Sequence, residues 1–74
     1  MSRKIELTAV IEKENNMYIS LCPELDIASQ GATPDEAKSN LVEAIELFYE
    51  TASEAEISGR LHNELQISRV TVQV

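Results

Sequence analysis

Cys22 and His62 are the two residues of this chain whose side chains could form a nucleophile and its base, and each occurs once. A cysteine acts as a nucleophile when a neighbouring base takes its proton. Forty residues separate the two, and no motif brings His62, in a late loop, back to Cys22 at the end of a strand. An inert cysteine and a surface histidine are therefore expected. One cysteine closes no disulfide within the chain, and one cysteine with one histidine is too few for a Cys/His zinc site. No cofactor is expected. What remains is carboxylate chemistry. Glu24 and Asp26 lie in a turn that needs neither, so they are candidates to face a basic partner. Residues 33–56 hold seven acids against one lysine, a net of −6. Within them Glu36, Glu43 and Glu50 recur every seven residues and share one side of a helix, a second candidate landing surface for Lys and Arg.

The whole chain has 74 residues and a formal net charge of −7. A phosphate backbone repels such a surface, because phosphate contacts supply most non-specific nucleic-acid affinity. Direct DNA binding is not expected, and a basic protein partner is. No apolar run approaches the ~18 residues of a membrane span. Met1-Ser2-Arg3-Lys4 leads straight into alternating residues without the apolar stretch of a signal peptide, so a cytoplasmic location is expected.

The elements that would carry these residues follow from hydrophobic period. Residues 4–12 (KIELTAVIE) alternate, with Ile5, Leu7, Ala9 and Ile11 on one face. KENN is a polar turn, and MYISLC alternates again with Met17, Ile19 and Leu21 on one face, so the two strands make a hairpin. Pro23 ends the second strand, residues 25–30 read as a short third, and Gly31 closes it through a positive φ. Thr33-Pro34-Asp35-Glu36 is a helix start: Thr33 as N-cap, Pro34 at N1 and Glu36 at N3 reaching back to the Thr33 N–H. Ala37, Leu41, Ala44, Ile45, Phe48 and Ala52 then keep helical spacing, giving one long helix over residues 34–55. Residues 56–65 read as a loop, with room for a short helical turn at 60–64. Residues 67–74 (ISRVTVQV) alternate and are β-branched, a fourth strand. The expectation is one α+β domain over residues 1–74, β-β-β-α-β, with a mostly antiparallel four-stranded sheet. The helix would pack on the face bearing Ile5, Leu7, Ala9, Ile11, Met17, Ile19 and Leu21.

The ordered series Tyr18, Cys22-Pro23-Glu24-Leu25, Gly31-Ala32-Thr33, Glu36-Ala37 and Ala44-Ile45 resembles the HicB family of antitoxin-type proteins, and the resemblance runs from about Ile5 to Glu50. It implies a partial ribonuclease-H-like fold with strand order 3-2-1-4. It also implies a partner, a small basic ribonuclease toxin that the protein binds and neutralises. Many members carry a C-terminal operator-binding segment; this chain stops at Val74, so that segment is expected to be missing. Nuclease activity is not expected, because ribonuclease-H chemistry needs clustered carboxylates around divalent metals. The centre of the first strand offers Leu7, Thr8, Ala9 and Val10 instead.

A core of this size barely offsets the ordering cost of the chain, so oligomerisation is the expected staple. The last strand would be an undefended edge, which places Arg69, Val70, Thr71, Val72, Gln73 and Val74 in a homo-oligomer interface. The alternative to the antitoxin reading is a stand-alone oligomeric structural or regulatory domain without a toxin.

Overall fold

The computed structural model describes residues 4–61 and 66–74. Three strands, β1 (Val10–Glu14), β2 (Met17–Cys22) and β3 (Ile27–Gly31), precede two helices, α1 (Pro34–Thr51) and α2 (Glu54–Arg60). The strands form one antiparallel sheet in the order β1-β2-β3. Opposite residues run from Val10 with Leu21 to Glu14 with Met17, and from Tyr18 with Gly31 to Cys22 with Ile27. Asn15-Asn16 closes the hairpin, and Asn15 takes a left-handed φ of 57°, which asparagine tolerates better than most residues.

β1 begins at Val10, not at Lys4. The register explains the difference. β2 stops at Cys22 because Pro23 has no N–H for the ladder, so residues before Val10 run past the end of their partner. The third strand likewise starts at Ile27 rather than Leu25. Pro23, Glu24, Leu25 and Asp26 form the connecting turn, Asp26 with φ 57° and Leu25 with its side chain fully buried. Leu25 plugs the core from a turn, which alternation does not reveal.

α1 starts as the sequence demands. Thr33 is extended and its hydroxyl accepts from the Glu36 N–H at 3.1 Å, with Pro34 in the first turn. The Glu36 carboxylate, however, accepts from the Ala32 N–H at 3.1 Å, one residue upstream of the expected donor. Gly31 has no positive φ; it is needed for space instead. A Cβ there would lie 2.5 Å from the Ala37 nitrogen and 2.8 Å from the Glu36 carbonyl carbon, so the end of β3 touches the helix backbone.

The single long helix is in fact two. α1 ends at Thr51, Ala52 is extended, and Ser53 caps α2 in a full capping box with Glu56. Ser53-Glu54-Ala55-Glu56 is the same signature as at the first helix start, and the sequence carried it. Arg60 holds α2 down: its guanidinium lies 5.5 Å from the Phe48 ring centroid and donates to the Asp26 carbonyl at 3.4 Å. Of the short turn expected at 60–64, Arg60 is instead the last residue of α2 and Leu61 its C-cap, while His62 and residues 63–64 lie outside those described.

Two further expectations are corrected. The helix does not pack on the Met17, Ile19 and Leu21 face of β2. Ser20 and Cys22 point at α1 and are fully buried, and the Ser20 hydroxyl donates to the Ala37 carbonyl at 2.7 Å. Small side chains on that face let the helix approach closely. The core is Cys22, Leu25 and Leu41, with Leu7, Ile27, Ile45, Phe48, Tyr49 and Leu61 packed around it. Residues 66–74 form no strand, and Val70 and Val72 are 84% and 73% exposed. A strand exists only when a neighbour completes its ladder, and among the described residues none pairs with this segment, so its period-two pattern is unmet.

Candidate partner interface

The inverted face of β2 leaves an apolar surface on the side of the sheet away from α1. Residues opposite each other in an antiparallel pair project to the same side. The face away from Ser20 and α1 therefore carries three cross-strand rows: Val10–Leu21–Ala28, Glu12–Ile19–Gln30 and Glu14–Met17. Ile19 and Leu21 are half-buried, while Val10 and Met17 are 40% and 37% exposed. α1 lies on the other side of the sheet, so these four side chains form an apolar strip that the helix does not cover. Glu12 and Glu14, both exposed, border it on the β1 side. A strip of this kind rimmed by charge is the ordinary form of a protein-binding surface.

The acids singled out by their spacing do not gather at this face. Glu24 is engaged within the chain. Its carboxylate accepts from the Thr8 N–H at 2.9 and 3.1 Å and from the Thr8 hydroxyl at 2.7 Å, and it receives the Cys22 thiol at 3.6 Å. It clamps residues 4–9 to the β2–β3 turn. Burial pushes the Glu24 carboxyl up, but the hydrogen bonds from Thr8 and from the backbone outweigh it and leave the group below the ordinary glutamate range. Burial also pushes the Cys22 thiol up, and the Glu24 charge adds to this against a backbone hydrogen bond from Leu25. A buried thiol held in its protonated form is a poor nucleophile. Asp26 is exposed in its left-handed turn. Glu36, Glu43 and Glu50 are exposed along α1, with Glu36 tied to Ala32 and Glu50 on the rim of a groove beside residues 4–9. Arg69 through Val74 are all exposed.

Among the described residues no cluster of three or more His, Cys, Asp or Glu side chains could hold a metal ion. No helix among them is long and apolar enough to cross a membrane. Their buried side-chain nitrogens and oxygens all have hydrogen-bond partners. Val10, Glu12 and Glu14 were missed because alternation gives the period of a strand but not which face the helix will choose. The small pair Ser20 and Cys22 was the available signal.

Over an aligned stretch of 49 residues the chain is 49% identical to the UPF0150 protein ssl0738 of Synechocystis sp. (strain ATCC 27184 / PCC 6803 / Kazusa), a match that spans 64% of this chain and 68% of that relative. The chain belongs to the UPF0150 family. No family model matches it, and no solved structure does. Membership of UPF0150 by itself assigns no chemistry, so the function of this UPF0150 chain is argued from its surface.

Proposed function

We propose that this chain is a HicB-like, antitoxin-type protein that binds a small basic ribonuclease toxin and neutralises it. The observation that carries this reading is the sheet face away from α1: Val10 and Met17 exposed, Ile19 and Leu21 half-buried between them, with the exposed Glu12 and Glu14 beside them. Burying the strip supplies affinity, since apolar area removed from water stabilises by about 25 cal/mol per Å². The two glutamates select a partner with Lys or Arg at the matching rim. The net charge of −7, with Glu36, Glu43 and Glu50 exposed on α1 and Asp26 on its turn, raises the encounter rate with a basic protein. The ordered resemblance from Tyr18 to Ile45 supports the same partner class. Neutralisation is by occlusion; the chain carries no part of the chemistry and needs no cofactor.

The test is genetic and cheap. A small, strongly basic ribonuclease encoded beside this chain should arrest growth when expressed alone, and co-expression of the chain should restore it. Ile19→Lys, which puts a charge in the centre of the strip, should abolish rescue while the variant stays folded. Full rescue by Ile19→Lys would show that the open face is not the binding surface. A genome neighbourhood without such a ribonuclease would overturn the antitoxin reading. It would leave the stand-alone oligomeric domain, in which the same strip receives a second copy of the chain.

A further inference from the structure

The strip on the sheet face away from α1 is narrow, and its width restricts what can lie on it. Its long axis is one column of β2, Met17, Ile19 and Leu21, joined by Val10 at one end. On the β1 side Glu12 and Glu14 flank the column, on the β3 side Ala28 and Gln30, and all four flanking residues are exposed. Neighbouring strands lie about 4.8 Å apart, so the apolar column is one side chain wide. At about 3.3 Å per strand residue it runs about 13 Å from Met17 to Leu21, and Glu12 and Glu14 stand about 6.6 Å apart. None of these residues is a lysine or an arginine. Lys13 projects to the opposite face, over the Tyr18 ring at 6.0 Å.

Three kinds of element could lie on such a face. A flat partner sheet would bury the two glutamates and Gln30 along with the column, and burying a carboxylate is costly. A single extended segment on the face, away from any edge, would leave its backbone N–H and C=O groups unpaired. A helix satisfies its backbone internally and presents a narrow apolar stripe. Its residues i, i+4 and i+8 rise by about 6.0 Å a step, close to the spacing of about 6.6 Å along the column. Its diameter of about 10 Å reaches over the strands on either side, so one flank meets Glu12 and Glu14. A second copy of the chain offers no such helix. The exposed side of its α1 carries Glu36, Glu43 and Glu50, and the first turn of its α2 carries Glu54 and Glu56, charges that the same rim repels.

We infer that the strip receives one amphipathic helix of the basic partner, laid along β2. Apolar residues at i, i+4 and i+8 of that helix contact the column of Met17, Ile19 and Leu21, and two Lys or Arg residues one turn apart face Glu12 and Glu14. This rests on the reading of the sheet face as a binding surface for a basic protein and adds the element that the partner contributes. The charged flank lies on one side only, because Ala28 and Gln30 line the other. The cations therefore also fix the direction in which the helix runs.

The test uses the full chain and a stapled helical peptide of about 15 residues, since unstapled helices of that length are marginal in water. The peptide carries leucines at i, i+4 and i+8 and two lysines one turn apart on one flank. A second peptide carries glutamates in place of the lysines. Each is titrated into the isotope-labelled chain, and amide shifts are followed. The wild-type chain should bind the lysine peptide at least about tenfold more tightly than the glutamate peptide, with shifts at Glu12, Met17, Ile19 and Leu21. Glu12→Lys/Glu14→Lys should reverse the preference, and Glu12→Gln/Glu14→Gln should remove it. Both positions are exposed, and circular dichroism checks that the variants keep their helices. A lysine peptide that leaves the strip unshifted overturns the helix, and so does a preference that survives the charge reversal. The toxin reading fails separately. Loss of growth rescue by Ile19→Lys, with no peptide binding, would retain the toxin and overturn the helix. The expected peptide binding, in a genome that encodes no basic ribonuclease beside the chain, would retain the helix and assign it to another basic protein.

Discussion

Replacing Gly31 by alanine adds one methyl group at the tightest backbone contact between sheet and helix. That methyl carbon would lie 2.5 Å from the Ala37 nitrogen, 2.8 Å from the Glu36 carbonyl carbon and 2.9 Å from the Glu36 Cβ. Two of these are backbone atoms at the start of α1 and cannot swing aside. Ordinary contact therefore requires β3 and α1 to part by about 1 Å, given carbon contact distances of about 3.5 Å. Three hydrogen bonds oppose this: Ser20 to the Ala37 carbonyl at 2.7 Å, Asn40 to the Gln30 carbonyl at 2.8 Å, and Glu36 to the Ala32 N–H at 3.1 Å. Overpacking costs typically about 1–3 kcal/mol, and weakening the buried Ser20 bond adds about 1 kcal/mol. The lost freedom of the unfolded glycine returns about 0.4–1 kcal/mol. Gly31→Ala is thus expected to destabilise by about 1–3 kcal/mol, a large share of the roughly 5 kcal/mol that a domain of this size commands. Urea denaturation followed by far-ultraviolet circular dichroism reads it directly. Gly59→Ala is the control: a Cβ there meets nothing within 4 Å, in a helix, so stability should rise by up to about 1 kcal/mol. Equal midpoints for the two variants would refute the close-approach argument.

Other outcomes follow from the same geometry. Leu41→Ala should cost about 2–5 kcal/mol and bring the domain close to unfolding at room temperature, measured by the same denaturation. Phe48→Ala should fall at the low end of the aromatic range of about 3–5 kcal/mol, since the ring is only half-buried. The Glu24 clamp is pH-dependent. Its folded carboxyl sits below its unfolded value of about 4.3, so its contribution is fully present above that value and is lost as pH falls through the lower folded one. Glu24→Gln should therefore melt below wild type at neutral pH, and the gap should close on acidification; a gap independent of pH would refute the clamp.

Much of the hairpin and the start of α1 can be read from residues alone. Period two marks the strands, and Thr33-Pro34-Asp35-Glu36 fixes a helix start because it satisfies backbone groups that only a helix end leaves open. Ser53-Glu54-Ala55-Glu56 carries the same information for α2, yet a helical apolar stripe running through Ala52 masks the break. The facing of β2 was not legible from hydropathy. Met17, Ile19 and Leu21 look like a core face, but helix proximity selects the small Ser20 and Cys22, and the larger side chains are left outside. That inversion is what produces the candidate interface, so the acids chosen by spacing on α1 and the apolar strip chosen by the fold lie on different surfaces. Residues 67–74 have the composition of a strand, but a strand depends on a neighbour that the segment's own sequence does not specify.

The central claim is that the open sheet face receives a basic protein. It is tested most directly by an NMR titration of the isotope-labelled chain with a small basic ribonuclease of the proposed toxin class. The expected footprint is the strip itself, with amide shifts at Val10, Glu12, Met17, Ile19 and Leu21, and little change along the exposed side of α1. Shifts confined to Glu36, Glu43 and Glu50 on α1, with the strip unperturbed, would contradict the account.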